Sequence, residues 1–218
     1  MAEPPLEGRA AAGRPPLTLR RLVGLDRSGP PPPQTRRGEP LRPWTIPNAI
    51  GFTRLALIPA FLLVALSSSD GQGALVAGLF GVIGWGDYAD GIAARLTGQY
   101  SRLGALMDPV TDRLLVICGV VVTWRFDLLP RWALAVLAAR ELAMLAIGRY
   151  AMTRGMDLSI NWPGRLAVAP VLGSFFFAMA GLPGLGEVLL YIGLALALLA
   201  SAMYAADAAR QLRDETDP

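Results

Sequence analysis

The sequence predicts an all-α fold, a polytopic membrane protein with six transmembrane helices, on three observations. Hydrophobic residues make up 53% of the 218-residue chain and its mean hydropathy is positive, which is high for a soluble domain. The apolar residues fall in long blocks, several of them near the roughly 20 residues that a helix needs to cross a bilayer core of about 30 Å. Arginines gather in some of the segments between blocks and are missing from others, as the positive-inside rule requires of a multispanning chain.

The elements follow in order. Residues 1–43 are rich in Pro, Gly, Ala and Arg, include the run PPPP at 30–33, and read as a disordered cytoplasmic tail. The stretch TLRRLVGL at 18–25 has an alternative reading as a short basic helix lying on a membrane surface. No continuous apolar core near the start marks a secretory signal. Residues 44–208 form the expected membrane domain. Its first apolar segment runs from Pro47 to Leu66, with Pro47 suited to a first helical turn. The polar loop SSSDGQG at 67–73 ends it. The second segment runs from Ala74 to Arg95, the third from Gly104 to Trp124 and the fourth from Arg131 to Tyr150. The fifth spans Arg165 to Ala180 and the sixth Leu185 to Ala206. Residues 209–218 read as a charged cytoplasmic tail.

Orientation follows from arginine placement. The N-terminal tail, the 95–102 turn, the 149–165 connection and the C-terminal tail carry arginine, whereas the 67–73 and 181–187 loops carry none. Six spans put both termini on one side, and the arginines make that side cytoplasmic, as in a plasma (inner) membrane protein. Arg125 and Arg131 stand on the outer side and oppose this assignment mildly.

Composition also restricts the chemistry. The chain has no histidine, and all 20 basic residues are arginine. That excludes a Ser/His/Asp triad, a His-ligated zinc site and the lysine of a phosphate-binding P-loop. Cys118 is the sole cysteine, so it forms no intramolecular disulfide and reads as a packing residue. A net charge of +3 gives no argument for nucleic acid as a partner. Asp, Glu, Arg and backbone remain, a set suited to oxygen-seeking metals and phosphates.

Four aspartates interrupt the apolar pattern in WGDYADGIAARLTGQYSRLGALMDPVTD, residues 85–112. A charged side chain near the bilayer centre costs about 2.5–3.5 kcal/mol on insertion scales, so four require compensation. Asp87 and Asp90 are spaced i,i+3 and share one helix face; Asp108 and Asp112 are spaced i,i+4 and share a face of the next helix. The connection through Gly98 lets the two helices return antiparallel, so that the pairs meet. Converging carboxylates repel unless two hold protons or a cation binds. Hard divalent ions such as Mg²⁺ or Mn²⁺ take carboxylate oxygens and suit phosphate substrates, and a pair of such ions is a common device for displacement at phosphorus. The small residues Gly91, Ala94 and Gly104 leave room for a diphosphate. The structural alternative pairs each aspartate with a nearby arginine, for example Asp112 with Arg113 or Arg95.

The same stretch fits D-x2-D-G-x2-A-R-x8-G-x3-D-x3-D at all eight specified positions: Asp87, Asp90, Gly91, Ala94, Arg95, Gly104, Asp108 and Asp112. It resembles the signature of the CDP-alcohol phosphotransferases, and TIPNAIGFTRLALIPAFLL at 45–63 looks like the first helix of the branch that makes phosphatidylglycerophosphate and cardiolipin. The resemblance implies a six-helix membrane enzyme, typically a homodimer, that displaces CMP from a CDP-linked lipid by an alcohol. It implies metal ligation by Asp87, Asp90 and Asp108, with Asp112 a metal neighbour and the general base. It implies a CDP site lined by Asp87, Gly91, Ala94, Arg95 and Gly104.

Arginine clamps phosphate bidentately, so Arg140 and Arg165 are expected contacts for an acceptor phosphate, with Arg102 and Arg54 as further candidates. Helix–helix ion pairing for Arg140 and interfacial anchoring for Arg165 are the competing readings. Arg140-Glu141 in the fourth segment resembles phosphatidylglycerophosphate synthases and points to CDP-diacylglycerol as donor and glycerol 3-phosphate as acceptor. Gly164-Arg165-Leu166-Ala167-Val168 lacks the second basic residue and the threonine of the G-K-x-K-T-like stretch in many of those enzymes. That departure favours cardiolipin synthases, which use phosphatidylglycerol but usually show R-D in the fourth helix, so glycerol 3-phosphate is the first expectation and phosphatidylglycerol the alternative. An ion-coupled transporter is the alternative of another class, but the chain shows no internal repeat and its carboxylates cluster toward one surface.

Overall fold

The computed structural model describes residues 32–35, 38–154 and 162–214, with side chains at 32–35, 38–147 and 166–206. The reading of the N-terminal tail, including the basic helix at 18–25, lies largely outside them, as do the middle of the 149–165 connection and the C-terminal four residues. Six α-helices account for nearly all of the described chain, and no strand occurs among the described residues. They are α1 (Ile46–Ser67), α2 (Ala74–Thr97), α3 (Arg102–Arg125), α4 (Arg131–Arg154), α5 (Trp162–Met179) and α6 (Pro183–Asp214). A 3₁₀ turn at Pro33–Thr35 packs against α3.

Helix ends follow local chemistry. Thr45 caps α1 by accepting a hydrogen bond from the Asn48 N–H at 3.3 Å, and Pro47 occupies the first turn, where a missing N–H is harmless. Gly98 ends α2 with φ +66°, a left-handed conformation that glycine adopts without a Cβ clash. Ser101 then caps α3, its Oγ accepting from the Gly104 N–H at 2.9 Å. Four residues, Gly98 to Ser101, therefore reverse the chain between the helices that carry the aspartates. Two helices run past their apolar segments, α4 to Arg154 and α6 to Asp214, because a helix once formed propagates cheaply into polar sequence.

The first three helices each divide into an apolar and a polar part. Ile58, Phe61 and Ala65 of α1 meet Val76, Ala77, Phe80 and Ile83 of α2 and Leu115, Cys118 and Val122 of α3 in one buried core. Leu134 and Leu137 of α4, Phe175 and Met179 of α5, and Leu190 of α6 complete it. Phe80 sits at its centre, 5.5 Å from the Phe61 ring and edge-on to Phe175 at 6.0 Å, arrangements that favour aromatic pairs. Cys118 packs in this core as expected. Residues 48–54 of α1, 87–95 of α2 and 104–113 of α3 extend beyond the core, and there the polar groups gather.

Among the described residues two helices, Ile46–Ser67 and Pro183–Ala206, are long and apolar enough to cross a membrane by length and composition. Only 28% of each span is buried, the reverse of a core helix in a soluble domain. Elsewhere the apolar stretch is shorter, as in Leu166–Met179 of α5, or charged residues interrupt it, as the aspartates do in α2 and α3. Trp44, Leu63, Trp85 and Trp132 are among many large apolar side chains left exposed, far more than scattered surface residues account for.

Candidate active site

The aspartates of α2 and α3 converge on an arginine of α1. The Arg54 guanidinium donates through Nη1 to Asp87 Oδ1 at 3.3 Å and Asp90 Oδ2 at 3.0 Å, and through Nη2 to Asp112 Oδ1 at 2.8 Å. Its Nε donates to the Ile83 carbonyl at 3.0 Å. Arg54 is only 2% exposed, whereas the side chains of Asp87 and Asp112 are each 49% exposed. The cation thus lies on the buried side of its partners. Asp90 is 7% exposed and is the innermost carboxylate.

Backbone packing makes this placement possible. A Cβ at Gly86 would stand 2.6 Å from both Cγ and Cδ of Arg54, so only glycine lets the arginine stem cross α2 at this point. Asp108 lies outside the Arg54 fork and borders a cavity of about 170 Å³ together with Asp90, Ala94 and Gly104. Asn48, Gln99, Tyr100 and Ser101 supply polar groups to the same cavity.

Asn48 organises the cavity's far wall. It is 1% exposed; its Nδ2 donates to the Arg42 and Pro43 carbonyls, both at 3.0 Å, and its Oδ1 accepts from Ser101 Oγ at 2.8 Å. A Cβ at Gly104 would meet that Oδ1 at 2.8 Å, which gives this glycine of the signature a packing reason. Gln99 Oε1 accepts from the Ile46 N–H at 2.9 Å, joining the α2–α3 turn to the start of α1. The Arg95 guanidinium lies over Gly91.

The arginines expected at an acceptor phosphate fall in different places. Arg54, a candidate for that phosphate, has its Nε and both terminal nitrogens engaged inside the bundle. It also supplies to Asp112 the counter-charge that the structural alternative drew from Arg113 or Arg95. Arg140 hydrogen-bonds Glu141, and its Nε donates to Ser201 Oγ of α6 at 3.0 Å. Glu141 also accepts from Arg113 at 3.3 Å. Arg140 thus pairs with a carboxylate of its own helix and crosses to α6 only through the Ser201 hydroxyl, while Arg113 makes the ion pair between helices, so two guanidinium groups share one carboxylate there. Arg102 donates to the Glu39 carbonyl at 3.3 Å and holds the segment before α1 against α3. Arg165 lies in the first turns of α5, and its side chain is outside the described residues.

Four carboxylates form a donor set suited to a hard divalent cation. One oxygen each of Asp87, Asp90 and Asp112 is bound to Arg54, so the other oxygen of each is not used by that fork. As the side chains stand around the guanidinium, no group of three or more His, Cys, Asp or Glu residues forms a ready cage among the described residues.

Residues 44–199 match the family described as CDP-alcohol phosphatidyltransferase. A protein of Mycobacterium tuberculosis (strain ATCC 25618 / H37Rv), provisionally named cardiolipin synthase, is 38% identical over 125 residues, 56% of this chain and 58% of its own length. The chain thus spans little more than half the length of that relative. The "Cardiolipin synthase (CMP-forming)" of Streptomyces coelicolor is 37% identical over 150 residues, 65% of this chain and 68% of its own length. The "CDP-diacylglycerol--glycerol-3-phosphate 3-phosphatidyltransferase" of Bacillus subtilis is 30% identical over 143 residues, 60% of this chain and 69% of its own length. The family match covers the three helices that meet at Arg54 and the eight positions of the aspartate signature, and on that extent the chain belongs to the CDP-alcohol phosphatidyltransferase family.

Proposed function

We propose that the chain transfers a phosphatidyl group from CDP-diacylglycerol to the hydroxyl of a phosphate-bearing glycerol acceptor, with release of CMP. One observation carries this reading: aspartates from two successive helices gather at one end of the bundle, beside a cavity bordered by Ala94 and Gly104. Asp87, Asp90, Asp108 and Asp112 would hold Mg²⁺ or Mn²⁺, two ions for four carboxylates, and a bound ion neutralises diphosphate charge and polarises the phosphoryl oxygens. Asp112 keeps one oxygen on Arg54 and offers the other as general base. It takes the acceptor's hydroxyl proton while that oxygen bonds to the phosphorus carrying diacylglycerol. The phosphorus–oxygen bond to CMP breaks, and CMP leaves with the electron pair. Asp87, Gly91, Ala94, Arg95 and Gly104 would border the nucleotide, and Arg140, joined by Arg113 through Glu141, would meet the acceptor's phosphate.

The acceptor favoured by similarity is phosphatidylglycerol. Relatives named cardiolipin synthase are 37–38% identical, against 30% for the relative named for glycerol 3-phosphate. The Arg140-Glu141 pair supports glycerol 3-phosphate as the second reading. In either case all six helices would span a plasma membrane, the termini and the site facing the cytoplasm and residues 44–208 forming the membrane domain. The enzyme would work as a homodimer.

The test is CMP release by purified protein given CDP-diacylglycerol, Mg²⁺ or Mn²⁺ and either acceptor. Release with phosphatidylglycerol and not with glycerol 3-phosphate is expected. The opposite pattern selects the second reading, and no release with any polyol acceptor removes the proposed activity.

A further inference from the structure

We propose that Arg54 is a positioning residue for the cation-binding carboxylates: from the buried side of the bundle it pins one oxygen each of Asp87, Asp90 and Asp112 and so sets the spacing of their remaining oxygens. The inference rests on the reading of these aspartates as a divalent-metal site. Three features separate this role from a chance ion pair. The guanidinium is fixed independently of the carboxylates, by its Nε on the Ile83 carbonyl at 3.0 Å. Its stem passes through a gap that exists only because residue 86 is glycine, with Cγ and Cδ 2.6 Å from where a Cβ would be. Each aspartate gives it a single oxygen, and two of the three side chains stay half-exposed on the opposite side.

The chemistry explains why such a residue is useful. Carboxylates on adjacent helices repel one another and swing apart when nothing neutralises them. A point charge on a flexible stem would neutralise them without fixing their geometry. A planar fork with separated donors does both. Partners of ligating groups typically govern metal affinity by 10–100-fold, and Arg54 occupies that position toward three prospective ligands from two helices.

The experiment is direct Mn²⁺ binding, by electron paramagnetic resonance titration of purified protein in detergent micelles without substrate. R54K keeps the charge and loses the fork, so it isolates geometry; it should bind Mn²⁺ about 10–100-fold more weakly than the parent chain. R54Q should also bind more weakly. Unchanged affinity in a folded R54K protein overturns the inference. Tighter binding by R54Q overturns it as well, by identifying the guanidinium as a rival of the metal. Where R54K does not accumulate, G86A displaces the same arginine stem without altering the arginine, and the same reading of the dissociation constant applies. If the parent chain itself binds no Mn²⁺, the metal reading fails and this inference with it. That result differs from a parent chain that binds and variants that bind equally well.

Discussion

Arg54 and Gly86 occupy complementary space: the arginine's Cγ and Cδ lie 2.6 Å from the position of a Cβ on residue 86. Alanine in place of a helical glycine ordinarily gains up to about 1 kcal/mol. Here the methyl group would meet a buried stem anchored at its far end, and overpacking of that kind costs about 1–3 kcal/mol. The packing effect should win. Gly86→Ala is expected to lower the thermal unfolding midpoint in detergent and to reduce CMP release. An unchanged or raised midpoint would show that the arginine can shift aside freely.

Asp112 carries a different prediction, because it combines a bond to Arg54 with a half-exposed side chain. Asn at this position preserves shape and an oxygen to accept from Arg54, and removes the base. General-base catalysis contributes about 10²–10⁴-fold. Asp112→Asn should therefore lower the turnover number for CMP release by about that factor and leave the fold intact. Turnover within a few-fold of the parent enzyme assigns the base elsewhere.

Much of this arrangement was legible in the spacing of α2 and α3. The i,i+3 and i,i+4 intervals follow from helix geometry, and Gly98 and Ser101 mark the end of one helix and the start of the next by local chemistry alone. That reasoning brings the pair on α2 to the pair on α3, and three of the four aspartates, Asp87, Asp90 and Asp112, meet at Arg54. The source of the cation was not legible. Arg54 lies 33 residues before Asp87, on a helix whose rotation depends on packing at Phe61 and Phe80, and nothing local distinguishes it from an interfacial anchor. Gly86 was hidden for the same reason, since its role exists only where two helices cross.

Asn48 shows what an isolated polar residue at the head of an apolar segment signals. Its three hydrogen bonds hold residues 42 and 43 and the α3 cap. Asn48→Ala leaves the Ser101 hydroxyl and two carbonyls without this partner, a loss of about 1–3 kcal/mol where groups stay buried. The segment before α1 should loosen. Faster chymotryptic cleavage after Trp44, together with a lower unfolding midpoint, is the expected result. Cleavage at the parent rate would mean that the Leu103 N–H to Leu41 carbonyl bond and the Arg102 contact suffice to hold the segment.

The pair Arg140 and Glu141 decides how an acceptor phosphate would be met. Glu141 lies between Arg113 at 3.3 Å and Arg140, so three charged groups leave one net positive charge. Arg113 follows the proposed base directly in α3. If an acceptor phosphate docks on this trio, Arg140→Ala removes a charge-assisted contact of about 1.5–3 kcal/mol. The acceptor KM should then rise roughly 10–100-fold, with the KM for CDP-diacylglycerol nearly unchanged. Glu141→Gln keeps both guanidinium groups and removes the competing anion, so it should lower the acceptor KM. A purely structural pair predicts something else: both variants would lose thermal stability and alter the two KM values alike. Parallel changes in steady-state kinetics for the two substrates would therefore reject the phosphate-binding role and leave Arg140 as the tie from α4 to Ser201 of α6.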